Sequence, residues 1–266
     1  MCYYSSCCLH RRRMINRDLS PMPSEKPQKT NEAEIIRSEL QSLSDPTKAR
    51  VLARFFKTGP GDYGEGDRFY GVVVPKIRSV VKAHRKAPGR EIRKLLRSQF
   101  HEERLTALLI LVDQYQRGDD FQKSKIYDLY LASTAYINNW DLVDLTAQHI
   151  VGAYLEGKET SVLSRLALSK SLWERRIAIL ATFHFIRLRD SREAFRIAEL
   201  LLQDPHDLIH KAVGWMLREV GKRCSLKGEC EFLDAHAAAM PRTMLRYAIE
   251  RFPDKLRLHY LRGKKR

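Results

Sequence analysis

Apolar residues recur three and four positions apart along nearly the whole chain from about residue 32. Proline and glycine interrupt this spacing at short intervals, for example at Pro88, Gly118, Gly157 and Pro205. The segments between them have the length of ordinary helices. No segment shows the strict alternation of apolar and polar residues that is typical of a half-buried strand. The pattern therefore predicts an all-α protein.

Comparable amphipathic segments recur along the chain, which indicates an internal repeat. Their starts lie near residues 101, 138, 171, 206 and 241, and intervals of roughly 33–38 residues are typical of stacked helix pairs. One pair cannot bury its apolar face alone, so neighbouring pairs stack and curve around a concave surface. We therefore predict an α-solenoid of antiparallel helix pairs that forms a single domain over residues 32–266.

Residues 1–31 differ in character from the rest of the chain. They lack helical periodicity, contain three of the five cysteines, and have no apolar stretch suited to a signal peptide. Met14 and Met22 lie further along, and the composition becomes ordinary after Met22. We interpret the segment as a basic disordered extension or as a start assigned too far upstream, and in neither case as catalytic.

The charge balance indicates a polyanionic partner. Lys and Arg number 48 against 32 Asp and Glu, which gives a formal net charge of +16 over 266 residues. Such a charge favours nucleic acid first and an acidic membrane surface second, with a merely soluble basic protein as the alternative. The longest apolar run, LTALLILV at 105–112, is too short to span a bilayer. The cysteine spacing outlines no zinc site, so we predict a cytoplasmic protein with reduced cysteines and no metal.

A glycine-rich segment, KTGPGDYGEGDRFYG at 57–71, interrupts the helical pattern. Gly59, Gly61 and Gly64 have the G-x-G-x-x-G spacing of a dinucleotide-binding loop. That loop needs a strand before it and a helix directly after it, whereas here a helix precedes and more loop follows. We therefore interpret the segment as a flexible connector packed beside the first helix pair, and not as a nucleotide site.

An acidic residue lies on the apolar side of the helix that is predicted to begin in NNWDLVDL. Asn138 or Asn139 would cap this helix, and Asp141 suits the positive end of its dipole. Asp144, however, falls inside an apolar stripe that runs from Trp140 to residue 154. A carboxylate on an apolar face is costly unless a partner satisfies it. Asp144 is therefore a candidate functional residue.

The next predicted helix carries a matching cation. Ser171 and Glu174 form the capping box that opens SLWERRIAIL, and Arg176 lies between the apolar residues Leu172 and Ile179. A buried ion pair with Asp144, tying two repeats together, is one explanation. Buried pairs are weak sources of stability because desolvation offsets their attraction. The spacing alone therefore leaves a structural pair and a functional site equally open.

A third helix combines cations with an aromatic residue on one face. Lys211, Trp215, Arg218 and Lys222 in HDLIHKAVGWMLREVGK follow i, i+4, i+7 and i+11 spacing. A surface that grips a phosphate backbone, with an aromatic platform beside the sugar or base, accommodates both residue types. The alternative is a core tryptophan whose neighbouring cations extend into solvent.

Four motifs in this order resemble the AlkD-type DNA alkylation repair glycosylases, which are built from HEAT-like repeats. They are FYGVVVPKIR at 69–78, NNWDLVD, LWERRIAIL and KAVGWMLRE, and the resemblance covers most of the chain from about 40 to 255. It implies that four residues line an active site in the concave face: Trp140, Asp144, Arg176 and Trp215. The tryptophans would flank the sugar of the damaged nucleotide, and Arg176 would contact the adjacent backbone. Asp144 would stabilise the sugar cation and position the attacking water.

The resemblance also implies a substrate class. Similar proteins excise N3- and N7-alkylated purines from duplex DNA without drawing the lesion into a deep pocket. Such a purine is already a cation, so its departure neutralises it and needs no general acid. One carboxylate can then suffice, by stabilising an oxocarbenium-like sugar and assisting the attack of water. The implied protein is a monomer that needs no cofactor and is associated with the nucleoid when it binds DNA.

One position departs from the family pattern. Where the best-known members have a polar glutamine near the lesion, this chain has Val73 between two further valines, which predicts an altered lesion preference more than a loss of activity. Contacts to DNA phosphates are expected from a set of cations: Arg78, Arg176, Lys211, Arg218 and Lys222. The alternative function is a non-catalytic solenoid that binds DNA or an acidic protein, in which Asp144 would only pair with Arg176.

Overall fold

The computed structural model describes residues 31–262. Within this range the chain is helical and contains no strand, so the predicted all-α class is confirmed. A single backbone bridge between Arg68 and Phe100 is its only strand-like pairing. The predicted extension, residues 1–31, lies outside the described residues except for Asn31. None of the described helices has the length and apolar character needed to cross a membrane.

The helices follow one another with short connections, apart from the glycine-rich segment. In the first half they are α1 Glu32–Ser42, α2 Pro46–Phe55, α3 Val74–Ala83, α4 Gly89–Leu96, α5 His101–Arg117, α6 Asp120–Leu131 and α7 Trp140–Asp144. In the second half they are α8 Ser161–Ala167, α9 Leu172–Ala181, α10 Phe183–Arg187, α11 Arg192–Leu200, α12 Asp207–Arg223, α13 Leu226–His236, α14 Arg242–Ala248 and α15 Asp254–Arg262. Short 3₁₀ turns occur at Thr134–Tyr136 and Ile249–Arg251, and a π-helical turn at Gln148–Gly152.

The helices stack in two rows. α5, α7, α9, α12 and α14 pack side by side, each against the next, while α4, α6, α8, α11 and α13 cover one side of that row. Fully buried aliphatic side chains such as Leu108, Ile150, Ile179 and Val213 form one continuous core along the stack. Each pair thereby buries the face that it could not bury alone. The predicted α-solenoid is confirmed.

The capping box predicted at the start of α9 is only half formed. The Ser171 hydroxyl oxygen accepts from the Glu174 N–H at 3.4 Å, as expected. The Glu174 carboxylate does not reach back to the cap, because it accepts from the Thr134 hydroxyl at 2.7 Å. Glu174 therefore ties α9 to the 3₁₀ turn of the preceding repeat.

The continuous helix predicted from Trp140 to residue 154 is wrong, because α7 ends at Asp144. The Thr146 hydroxyl donates to the Leu142 carbonyl at 2.5 Å and lies 2.9 Å from the Tyr130 hydroxyl. Such side-chain bonds to the backbone compete with regular helical bonding. The chain turns and resumes as the π-helical turn, a feature that often accompanies functional sites. Asp144 is thus placed at a helix end.

Candidate functional site

Asp144 and Arg176 form a two-point ion pair between α7 and α9. The Arg176 Nε and Nη2 atoms donate to Asp144 Oδ1 and Oδ2, each at 2.8 Å, in the fork geometry of strong charge-assisted bonds. The remaining nitrogen, Nη1, donates to the carbonyl of Leu208 at the start of α12. Arg176 therefore joins three successive helices of the row.

The pair is buried, but the carboxylate is the more accessible partner. The Arg176 side chain is 6% exposed and that of Asp144 is 15% exposed. Burial raises the pKa of the Asp144 carboxyl, and the charge and hydrogen bonds of Arg176 offset only part of that rise. Each carboxylate oxygen has two lone pairs, and the arginine occupies one on each. Asp144 can therefore still accept a hydrogen bond or a proton from a small molecule.

Asp144 borders a cavity of about 500 Å³ between α3, α5 and the π-helical turn. Gln148 lines the same cavity, and its side-chain oxygen is buried without a hydrogen-bond partner among the described residues. Four cations from α3, from the residues just after it and from α5 also line the cavity: Arg78, Lys82, Arg85 and Arg117, of which Arg117 pairs with Asp113 in the same lining. Burial lowers the pKa of the neighbouring His149, which favours its neutral form. Cations gathered in a concave site attract an anion such as a phosphate group.

Trp140 and Trp215 lie on the helices that flank α9. Trp140 opens α7 and stacks on Phe56 with ring centroids 5.2 Å apart, while the exposed Phe55 meets its edge at 5.7 Å. Trp215, in α12, lies 6.0 Å from Phe183 and packs partly against the core. Both indoles are only half-buried, so each still presents a surface to a ligand.

The predicted phosphate contacts outside the ion pair remain accessible. Arg78 and Lys222 are exposed. Lys211 pairs with an aspartate one turn earlier on α12, and Arg218 pairs with a glutamate in the last 3₁₀ turn. The Lys211 pair is exposed and opens at little cost, whereas the Arg218 side chain is only 18% exposed. Arg78, Lys211 and Lys222 are therefore the cations that a phosphate can reach most easily.

Arg176 is in a different situation from these four cations. All three of its guanidinium nitrogens already donate to Asp144 or Leu208, and its side chain is buried. Two of its five N–H donors remain, so a phosphate would have to reach these two on a side chain that is only 6% exposed. Its role at the DNA backbone stays a prediction, whereas the pairing with Asp144 is a feature of the structure.

Sequence reasoning missed a buried charge network beneath α7. His101 lies between two carboxylates, with Nε2 at 2.8 Å from Asp141 and Nδ1 at 3.2 Å from Asp67. Arg104 donates to the other oxygen of Asp67 at 2.7 Å, and the amide of the helix cap Asn139 donates to Asp67 at 3.3 Å. Asp141 lies in the first turn of α7, as predicted, but it also takes part in this network. It is buried, and it fixes the start of α7 to α5.

The network raises the pKa of His101. Burial opposes protonation of this imidazole, but the charge of Asp141 and the hydrogen bonds with both aspartates raise its pKa to about 9. The only sequence signal was a histidine at the start of a strongly apolar helix, with no indication of its partners. His101 is thus a buried cation that supports the helix carrying Trp140 and Asp144.

The free energy of unfolding is expected to fall as the pH rises through the pKa of His101. The folded pKa of about 9 exceeds the reference value of 6.5, so the contribution is complete below pH 6.5 and lost as pH rises through 9. The loss amounts to at most about 3 kcal/mol. Denaturant unfolding measured across this pH range should show that the free energy of unfolding declines in the wild type and declines much less in His101→Gln. Parallel declines in the two proteins would refute the assignment.

The glycine-rich segment, residues 57–71, is ordered by many hydrogen bonds; we call it the glycine loop. The Glu102 carboxylate accepts from the backbone N–H groups of Tyr70, Gly71 and Val72, at 3.1, 2.8 and 3.2 Å. The Arg68 N–H and carbonyl bond to the backbone just before and at the start of α5. The segment connects two helices, as predicted, but its predicted flexibility is wrong because these bonds hold it in place. Sequence reasoning did not find the bonds, since Glu102 lies about thirty residues further along the chain.

The valines that depart from the family pattern divide between core and surface. Val72 is buried and belongs to the hydrophobic core. Val73 precedes α3 and, like Val74, is more than one third exposed. Replacing a polar residue by Val73 therefore leaves an apolar surface at the start of α3, while Val72 serves packing.

Comparisons with known proteins identify the family and the fold. The model of the family described as "DNA alkylation repair enzyme" matches residues 36–252. A solved structure described as a predicted DNA alkylation repair enzyme from Enterococcus faecalis is similar, with a TM-score of 0.61 and 14% sequence identity. The match covers 79% of this chain and 97% of that chain, and at this identity it shows a shared fold. No protein with a curated description matches the chain. Because the family match spans most of the chain and includes α7, α9 and α12, the protein belongs to the DNA alkylation repair enzyme family.

Proposed function

We propose that the protein is a DNA glycosylase that hydrolyses the N-glycosidic bond of N3- and N7-alkylated purines in duplex DNA. The observation that carries this proposal is the position of Asp144, which is held by Arg176 at the border of a cation-lined cavity. Burial raises the pKa of Asp144 and Arg176 offsets only part of that rise, so the site holds a carboxylate that accepts a proton more readily than an exposed aspartate.

The reaction requires little from the protein besides a fixed negative charge and a water molecule. The bond between C1′ and the purine nitrogen breaks, and its electron pair neutralises the positively charged base. Water then adds to C1′ and transfers a proton to Asp144. A preorganised carboxylate stabilises the cationic sugar, and its raised pKa makes it a stronger base than an exposed aspartate. Arg176 would keep the carboxylate ionised and correctly oriented.

The surroundings of Asp144 suit the remaining parts of the substrate. Indole faces attract a developing positive charge, so Trp140 and Trp215 would add to the stabilisation of the sugar. The cations of the cavity and of α12 would bind phosphates on either side of the lesion. No step needs a cofactor or a second protomer. The scheme lacks a general acid, so neutral lesions with strong glycosidic bonds should be poor substrates.

Base release from defined duplexes tests this proposal. The purified protein is incubated with a duplex that contains one N7-methylguanine, and with a second that contains N3-methyladenine, and free base is measured against time. We expect release above the spontaneous rate from at least one of them and none from unmodified guanine. Tight binding without release from either duplex would refute the glycosylase.

The completed ion pair favours one alternative, a solenoid that binds DNA without turnover. The Asp144 carboxylate would then have no role besides its ion pair with Arg176. Either DNA-binding function predicts a steep decline of affinity with salt, because each phosphate contact releases counterions from the duplex. Measurement of turnover separates the glycosylase from the solenoid that only binds DNA. If the protein bound an acidic protein almost as tightly as DNA, both functions would be contradicted.

A further inference from the structure

The cavity between α3, α5 and the π-helical turn is lined by three cations that have no carboxylate partner, Arg78, Lys82 and Arg85. None of the three forms an ion pair within residues 31–262, whereas Arg117 in the same lining is already paired. Like charges gathered without a counter-charge repel one another. The cavity therefore has room and charge for an anion that its own walls do not supply.

The segment that carries Arg85 is fixed against α5. The Gln114 side-chain amide donates to the carbonyls of Arg85 and Ala87, at 2.9 Å each. The Arg85 Nε donates to the Lys82 carbonyl at 3.2 Å, and its two other guanidinium nitrogens have no hydrogen-bond partner among the described residues. This cation is thus held in place before a ligand arrives, which lowers the cost of binding.

The π-helical turn presents His149 and Gln148 to the same cavity. Both are half-buried, and neither side chain makes a hydrogen bond within the described part of the chain. The turn itself is packed closely, since a Cβ at Gly152 would lie 2.2 Å from the Ala181 carbonyl oxygen and 2.7 Å from His184 Cβ. Two polar side chains are therefore held at the cavity on a fixed backbone, without a partner.

The surroundings of His149 favour its neutral form when the cavity is empty. Burial lowers the pKa of this imidazole most, and the positive charges of Arg187, His184 and Arg78 lower it further. The first two of these groups lie on α10, which packs against the π-helical turn, and the third lies on α3. A proton on His149 would thus meet only positive charge in these neighbours.

The carboxylates of the cavity and of its neighbour His184 already have basic partners. The pairs are Asp113 with Arg117, Asp144 with Arg176, and Glu156 with His184. α6 also packs against the π-helical turn but contributes no residue to the lining of the cavity. An anion that enters from outside would therefore be the first free counter-charge that His149 meets.

We propose that the cavity binds one phosphate of the DNA strand and that His149 takes up a proton from solvent as the phosphate binds. The three unpaired cations, the imidazolium and the Gln148 amide would donate to the phosphate oxygens. A DNA strand is the source that fits, because the same cavity borders Asp144. The proposal rests on the DNA binding that the proposed function includes, but not on turnover.

Proton uptake makes DNA affinity depend on pH. A phosphodiester does not titrate near neutral pH, so the proton must be taken up by the protein. The negative charge of the phosphate favours the imidazolium, so the pKa of His149 is higher in the complex than in the free protein. By linkage, the affinity for DNA then rises as the pH falls through this interval.

The dissociation constant of an undamaged duplex, measured from about pH 8 to about pH 5.5, tests the proposal with the full-length protein. Over this range the affinity of the wild type should rise about 10-fold more than that of His149→Gln, the worth of one charge-assisted contact. The log–log salt slope of the wild type should also steepen by about 1 more, as for one further phosphate contact. Equal pH dependence in the two proteins would overturn the proposal.

Matched variants identify the residues that are responsible. His236→Gln should keep the pH dependence of the wild type, because His236 pairs with Glu199 on the covering row. Lys82→Ala should weaken the pH dependence, since the phosphate is then held less closely to His149. Lys76→Ala removes an exposed lysine of the same helix that lies outside the lining, so it should keep the pH dependence. Equal pH dependence in Lys82→Ala and Lys76→Ala would contradict the phosphate site.

Nuclear magnetic resonance titration of the His149 ring gives a measurement on the wild type alone. Saturation with undamaged duplex should raise the pKa of His149 above its lowered value in the free protein. Inorganic phosphate at the same concentration of phosphate groups should raise it less. No rise with either ligand would overturn the anion site. A rise with inorganic phosphate and none with the duplex would overturn its assignment to DNA.

The two proposals fail in different ways. Undamaged duplex contains no lesion to excise, so these binding measurements do not depend on base release. If the wild type releases alkylated base while its binding shows no link to His149, only the cavity proposal fails. If binding is linked to His149 and no base is released, only the glycosylase function fails.

Discussion

Asp144→Asn is expected to lower base release about 10²- to 10⁴-fold, the usual worth of a positioned catalytic base. Asparagine has the same shape, but it carries no charge for the sugar cation and takes no proton from water. Its oxygen can still accept from Arg176, which also keeps its bond to the Leu208 carbonyl. Because burial already opposes the charge of Asp144, the neutral replacement should fold.

The measurement compares single-turnover release from N7-methylguanine duplex with binding of an undamaged duplex. We expect the variant to lose release and to keep its affinity, since no cation is removed. Asp190→Asn provides the matched control, because Asp190 also pairs with an arginine but borders a different part of the surface. Equal release by wild type and Asp144→Asn would refute the mechanism while leaving the glycosylase function in place.

Arg176→Ala is expected to lower the free energy of unfolding by about 3–5 kcal/mol, because it leaves a buried charge without its partner. The substitution also deprives the Leu208 carbonyl of its donor and removes the hydrogen bonds that join α9 to both neighbours. The pKa of Asp144 should rise further, since only burial and the Asp141 charge would then act on it. A more protonated carboxyl predicts that base release is also lost near neutral pH.

Denaturant unfolding of a double-mutant cycle measures this effect. The double variant Asp144→Asn with Arg176→Ala contains no unpaired buried charge, so it should be more stable than Arg176→Ala alone. Arg192→Ala, which removes an exposed partner of Asp190, should change stability little. If Arg176→Ala changed the free energy of unfolding as little as this surface control, the ion pair would not stabilise the fold. The bonds from Arg176 to its neighbouring helices would then contribute nothing to stability.

Sequence alone predicted the parts of the site that violate a local rule. Asp144 and Arg176 interrupt apolar stripes, and the spacing of each helix was sufficient to find them. The spacing could not distinguish an ion pair from a catalytic site. That distinction depends on how many lone pairs of the Asp144 oxygen atoms Arg176 leaves unused, and on how much open space lies beside the carboxylate. The geometry supplies both the pair and the adjoining cavity.

The parts that sequence reasoning missed depend on contacts between distant segments. Tyr63 obeys every local expectation for a loop residue, and only its ring contact with Trp173 distinguishes it. His101 likewise gains its role from carboxylates 34 and 40 residues away. Thr146, just after the end of α7, likewise has a partner on another helix in the Tyr130 hydroxyl. Periodicity predicts which face a residue occupies, but not which distant group meets it.

The three bonds made by the Arg176 guanidinium also affect how the solenoid opens. Repeat proteins unfold in short stretches, because each repeat contacts only its neighbours and fluctuations enter from the ends. A side chain shared by α7, α9 and α12 forces three successive layers to open together. The middle of the stack then forms one cooperative unit with a higher opening free energy than its termini. The carboxylate that is proposed to meet the damaged sugar is thereby located in the segment that unfolds last.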